Sequence, residues 1–144
     1  MRTIKFRGKK ISNSKWINGY YIVDPMGKSQ ILHNFVFHTV ITETVGQFTG
    51  LTDLNGREIF EGDIVHIGPR GQVWSVEYDE SEARFIVFNQ INSDRSIELN
   101  FEDQIYSCGE KLVSPVKVQV TEDYSFGLAV IGNIHDNPEL LEMK

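Results

Sequence analysis

VGQFTGLTDLNGREIFEGDIV, residues 45–65, is the stretch on which the fold turns. Asn55-Gly56 within it is the strongest short-range hairpin signal, because a type I′ turn needs left-handed backbone at both central positions. Gly62 permits a sharp bend with no Cβ penalty. Asp63 beside it is suited to tie down a neighbouring amide, and the chain then enters a strand over 64–67. Gly68-Pro69-Arg70-Gly71 makes the next turn. Over 73–78 Trp74, Val76 and Tyr78 alternate onto one face, with Ser75 and Glu77 on the other. An acidic loop (79–82) and a returning strand (84–88) follow. A bend, a strand, a tight turn, a Trp-bearing strand and a return describe the centre of a small SH3-like barrel, a fold analogy that carries no function with it.

Working outward, residues 3–7 alternate as a strand with Ile4 and Phe6 inward. Residues 16–23 read as a second strand, in which Gly19 marks a bulge or a close backbone approach. Asp24-Pro25-Met26-Gly27 is a turn, with proline presetting φ and glycine taking the left-handed position. Residues 30–40 return as one or two strands, so the first forty residues form an antiparallel meander. Downstream, 96–101 alternates as a short strand, and Val116, Val118 and Val120 share a face. A last strand over 128–134 is interrupted by Gly132. Asn137 as N-cap and Pro138 at the first helical position predict a short C-terminal helix. Turn signals at roughly 8–12-residue spacing mark an all-β, mainly antiparallel chain. The expected organisation is one domain over 1–144, with a meander in 1–44 and the barrel-like core and helix in 45–144.

The 144 residues are 40% hydrophobic, 11% aromatic and 24% charged, an ordinary globular profile. At this size a chain buries about 68–70% of its unfolded surface and needs no covalent staples. Cys108 is the single cysteine, which excludes an internal disulfide and a cysteine-cluster metal site. The start, MRTIKFRGKK, lacks a signal-peptide apolar run. No segment approaches the roughly 18–20 apolar residues of a membrane span. Cytoplasm, with no membrane partner, is the expectation.

Three stretches resemble the YopX family. The first is Ile4-Lys5-Phe6-Arg7-Gly8-Lys9 followed by Trp16 and Gly19-Tyr20. The second is Val45-Gly46-Gln47-Phe48-Thr49-Gly50-Leu51, continuing through Asp53, Asn55-Gly56 and Ile59-Phe60-Glu61-Gly62-Asp63-Ile64-Val65. The third is Val130-Ile131-Gly132-Asn133-Ile134-His135-Asp136-Asn137-Pro138-Glu139-Leu140-Leu141. They keep the family's order and reach both ends of the chain. The resemblance implies a small phage or prophage accessory protein that assembles with itself. The family's members carry no assigned reaction, cofactor or catalytic residue, so no site transfers. The motif residues also have a plain structural role: their glycines suit turns and their aliphatics suit buried strand faces.

Net charge is −6, from 14 Lys+Arg against 20 Asp+Glu, which disfavours bulk attraction to nucleic acid. The distribution is uneven. Arg2, Lys5, Arg7, Lys9, Lys10 and Lys15 precede the first acid, Asp24, while acids dominate from Glu43 through Asp103. That basic start suits a lysine-guarded edge strand, a nucleic-acid backbone or an acidic neighbouring subunit. Aromatics at Phe6, Trp16, Tyr20 and Tyr21 interleave with it, the ingredients of single-strand binding.

Asp53, Glu58, Glu61 and Asp63 cluster near a hairpin and a bend. Sharing a proton would make an acid–base pair of two of them, but turn hydrogen bonds and solvated glutamates account for the same residues. His33 and His38, five apart on a continuous strand, would face opposite ways and make no metal pair. His135-Asp136 beside Asn133 could orient an imidazole, but no nucleophile accompanies it. No Gly-x-Ser-x-Gly and no phosphate-binding glycine motif occurs. No cofactor, metal or catalytic residue is expected.

The leading expectation is therefore a non-enzymatic, self-assembling protein-interaction module. Its surface would be the exposed edges and the loop bearing Asp53, Asn55, Glu58, Glu61 and Asp63, offered to an unidentified phage or host protein. The alternative is a nucleic-acid-binding accessory protein using Arg2, Lys5, Arg7, Lys9, Lys10 and Lys15. An enzyme using the carboxylates near 53–63 comes third.

Overall fold

The structure, a computed structural model, describes residues 3–53, 55–67, 72–81, 83–88, 96–98, 104–107, 110–113, 119–121, 124–126 and 128–142. The chain divides into two compact units, Met1–Gly50 and Leu51–Lys144.

In the first unit, β1 (Phe6–Lys9), β2 (Trp16–Val23), β3 (Ser29–His33) and β4 (Val36–Thr39) form the expected meander. With β5 (Gly46–Thr52), which runs on into the second unit, the strand order is β4-β3-β2-β1-β5. The pairing is antiparallel, with Phe6 opposite Gly19 and Gln47, and Tyr21 opposite Ile31. Pairing of β1 begins at Phe6, and Ile4, expected inward, is 59% exposed. Gly19 is required by close approach: a Cβ there would sit 2.0 Å from the Leu32 carbonyl oxygen. Asp24 and Gly27 (φ 81°) close the β2–β3 turn as expected. Phe48 is buried on one face, and Ile31 and Val40 on the other, each worth about 1.5–3 kcal/mol of transfer free energy. Hydroxyls bridge beneath the second face: Tyr21 Oη to Ser29 Oγ is 3.0 Å, and Ser29 Oγ to Thr42 Oγ1 is 2.9 Å.

In the second unit, β6 (Glu58–Phe60) lies beside the last residues of β5. Then come β7 (Asp63–Ile67), β8 (Gln72–Asp79), β9 (Arg84–Phe88), β10 (Ser96–Glu98), β11 (Gln104–Ser107), β12 (Glu110–Val113), β13 (Gln119–Thr121), β14 (Tyr124–Phe126) and β15 (Leu128–Asn133). The order β12-β11-β10-β9-β8-β7-β15 makes one sheet, and β13 pairs with β14. The bend and the β7-β8-β9 meander match the sequence expectation. Among the described residues, however, no sheet closes on itself, so the expected SH3-like barrel does not form and the chain is mainly antiparallel β in open sheets. The chain after β9 extends the sheet instead of curling back, and β15 lies against β7 at the opposite edge. The core comprises Leu51, Ile59, Val65, Trp74, Val76, Phe85, Val87 and Leu128.

Gly132 does interrupt β15: the pairing with β7 shifts register between Val130 and Gly132. The expected C-terminal helix is a short 3-10 segment, Pro138–Glu142, the tighter geometry usual in pieces this short. Among the described residues, no helix is long and apolar enough to cross a membrane. The turn at 68–71, the strand expected at 116–120 (in part) and Cys108 lie outside the described residues.

Candidate functional site

The residues singled out in 53–63 build a hydrogen-bonded knot. Asp53 is 4% exposed. Its Oδ1 accepts the backbone N–H groups of Asn55 and Arg57, each at 2.8 Å. Its Oδ2 accepts the N–H of Val130 at 2.9 Å. One carboxylate thus closes its own hairpin and ties it to β15. The Arg57 guanidinium repeats that link more weakly, donating to the Val130 carbonyl at 3.3 Å. Gly56 takes the left-handed backbone (φ 79°), and its N–H donates to the Asp53 carbonyl.

Asp63, 1% exposed, accepts the Phe60 N–H at 2.8 Å across the Glu61-Gly62 bend. Gly62 (φ 92°) donates its N–H to Val76 and accepts from Ile134. Asn55 and Glu58 are exposed, and Glu61 is half-buried. The Asn133–Pro138 turn is equally self-contained. Asn133 Oδ1 accepts from the N–H groups of His135 and Asp136, and its Nδ2 donates to Asp136 at 3.1 Å. Asn137, expected as an N-cap, turns its Oδ1 back to the Asn133 N–H. Hydrogen bonding in turns thus engages Asp53, Asp63, Asn133 and Asn137.

The basic residues divide. Arg2 lies outside the described residues. Lys5 places its Nζ 5.0 Å from the Phe48 ring centroid, and the Lys10 N–H donates to the Lys15 carbonyl in the β1–β2 turn. Arg7 and Lys9 both lie over Trp16, with the guanidinium 4.7 Å and the ammonium 5.7 Å from the ring centroid. Of the interleaved aromatics, Phe6 and Tyr21 contact each other at 5.4 Å between centroids. Tyr20 stands 68% exposed.

His33 and His38 fall on paired strands of one hairpin, where His33 meets Val36 and Ile31 meets His38. The turn between them brings both onto the same face, contrary to the single-strand expectation. His33 Nδ1 lies 2.8 Å from the Asn18 carbonyl. Among the described residues, no three His, Cys, Asp or Glu side chains group as metal ligands.

Sequence reasoning missed the tip and edge of the β3–β4 hairpin. Phe35 is 99% exposed, and Val36 and Phe37 are 53% exposed. The signal was available: residues 29–42 contain no charged residue and no proline.

A chain of antiparallel strands in two units, with its longest motifs spent on turns, defines an all-β protein whose sequence signature is mainly architectural. The chain belongs to the YopX family: the YopX protein family model matches residues 5–142. It is similar in structure to protein EF1440 from Enterococcus faecalis, with 23% identity and a TM-score of 0.55 over 98% of this chain and 99% of that one. That likeness supports the fold. No curated protein matches this chain.

Proposed function

We propose that this chain is a non-enzymatic interaction module, a cytoplasmic phage or prophage accessory protein that assembles with a second copy through the open edge of its N-terminal sheet. β4 ends the strand order. Exposed edges are ordinarily guarded by lysine, proline or a bulge, whereas this one is uncharged.

Phe35 is the observation that carries the reading. It sits at φ 65°, beside Asn34 at φ 48°, in the β3–β4 turn, with its ring almost wholly in water. Left-handed backbone costs a bulky residue about 1–2 kcal/mol, and a solvated ring returns nothing for it. Both costs are offset when a partner buries the ring. Strand addition along β4 supplies main-chain hydrogen bonds, and antiparallel pairing of β4 with its own copy makes a self-complementary contact. In the second unit, the loop bearing Asn55, Glu58 and Glu61, the first two exposed and the third half-buried, is the surface offered to a phage or host protein.

Sedimentation velocity of the full chain over a concentration series tests this. Self-association is expected, and Val36→Lys and Phe37→Lys should each shift it to monomer with an unchanged β-sheet spectrum. A wild-type chain monomeric at every concentration, or association indifferent to both substitutions, overturns the proposal.

A further inference from the structure

The register of the N-terminal sheet sorts its side chains into two faces. Directly opposed residues share a face and alternate along each strand. Arg7 lies opposite Asn18, Lys9 opposite Trp16, and Tyr20 opposite Leu32. Arg7, Lys9, Trp16, Asn18 and Tyr20 therefore occupy one face. Phe6, Gly8, Gly19, Tyr21 and the buried Ile31 occupy the other.

The aromatics and cations that interleave in sequence are thus separated by the fold. Trp16 goes with Arg7 and Lys9, and Tyr20 lies four residues along the same strand, about 13 Å away at 3.3 Å per residue. Lys15 stands exposed at the entry to β2. Strands β1 to β4 contain no Asp or Glu. Residues 1–50 carry seven basic and two acidic side chains, against seven and eighteen in residues 51–144. One of those two acids, Asp24, is held by the N–H groups of Met26 and Lys28 and by the Gln30 amide. A chain acidic in total therefore presents one face whose local field favours an anion.

We propose that this face binds single-stranded nucleic acid, with unpaired bases stacking on Trp16 and Tyr20 and phosphates drawn by Lys9 and Lys15, while Arg7, whose Nε and one Nη are buried, backs the indole. The aromatics decide between polyanions. An acidic protein surface would engage the cations and leave the exposed Tyr20 ring unused, and a duplex hides its base faces within the stack. Unpaired bases use both features, as in other stacking platforms set in a basic field. The proposal concerns β1 and β2 and does not rest on assembly through β4.

The test is fluorescence anisotropy of labelled oligothymidylate and oligouridylate with the full chain, a duplex as comparison, over a salt series. Trp74 is buried, so quenching of indole emission reports Trp16. Binding is expected to weaken with salt at about 0.7 log units per log unit for each phosphate contact. Lys9→Gln should remove about one contact's worth of that slope. Tyr20→Ala and Trp16→Ala should each weaken binding about tenfold, while Trp16→Phe should retain most of it. Tyr20 is exposed, so its substitution probes binding with the fold intact. No binding at low salt overturns the proposal, as does affinity unchanged by Trp16→Ala and Tyr20→Ala or equal affinity for duplex. Self-association lost in Lys9→Gln and indifferent to oligonucleotide assigns the face to an acidic protein partner and overturns it as well.

Discussion

The two units put their polar chemistry to opposite uses. In residues 51–144, Asp53, Asp63, Asn133 and Asn137 turn inward and satisfy backbone N–H groups of neighbouring turns. In residues 1–50, Arg7 and Lys9 lie over an indole on the sheet face that also carries an exposed tyrosine. A long motif of Gly, Asp and Asn thus marks where the backbone must bend. A shorter and less distinctive motif, Phe6-Arg7-Gly8-Lys9 with Trp16 and Gly19-Tyr20, carries the surface proposed above for recognition.

The largest effect that tests this contrast falls on the second unit. Asp53→Ala leaves the N–H groups of Asn55, Arg57 and Val130 without their carboxylate acceptor. Unpaired buried donors cost about 1–3 kcal/mol each, partly recovered by water. A loss of about 3 kcal/mol in urea unfolding is expected, with oligonucleotide binding by the folded fraction unchanged. If stability holds and binding falls, the division of labour is wrong.

Gly132→Ala comes next. Its Cβ would lie 2.6 Å from Asn137 Oδ1 and 2.9 Å from Cγ. Asn137 is a movable side chain but one held to the Asn133 N–H. Overpacking of this kind costs about 2 kcal/mol. Asn137→Ala in the same chain should recover part of that loss, because it removes the obstructing amide. No recovery would place the strain in the β15 backbone itself.

These two sites also mark how far the sequence could be read. The bend at Gly62, the strand Trp16–Val23 and the Asp24 turn were legible because their determinants are local: a glycine, a period of two, a proline beside an aspartate. The role of Asp53 was half legible. An aspartate before Asn-Gly announces a turn, but its bond to Val130 spans 77 residues and has no local signal. The two faces of the N-terminal sheet were not legible. Phe6, Trp16, Tyr20 and Tyr21 look equivalent until the β1–β2 register separates them. Phe35 was overlooked for a related reason: an apolar residue in an alternating run reads as inward until the turn position is known.

Phe35→Asn sharpens the contrast from the first unit. Asparagine tolerates left-handed backbone, so relief of strain should raise stability by about 1 kcal/mol. Self-association should fall at the same time. Opposite movements of unfolding free energy and sedimentation coefficient are the expected signature. Lower stability together with intact association would return the ring to a structural role.

The smallest effect is the pH response of the β2–β3 turn, where the first unit uses a carboxylate as the second does, but at the surface. The Lys28 N–H, the largest influence, holds the Asp24 carboxyl below its ordinary value; burial, the next largest, opposes it, and the Gln30 amide and the Met26 N–H add to the lowering. A group whose folded value is depressed stabilises the fold above its unfolded value, about 3.9 for aspartate. That contribution is lost as pH falls through the folded value. Asp24→Asn removes the charge but keeps an oxygen that can accept from Met26 and Lys28. Unfolding midpoints of the two proteins should therefore differ near neutral pH and converge in acid, once the wild-type carboxylate is protonated. Exposure makes the difference slight, and salt should shrink it through the Lys28 attraction. A gap that stays constant from neutral pH into acid would mean that Asp24 acts through shape alone. The carboxylate turns of the two units would then share a geometry without sharing an electrostatic cause.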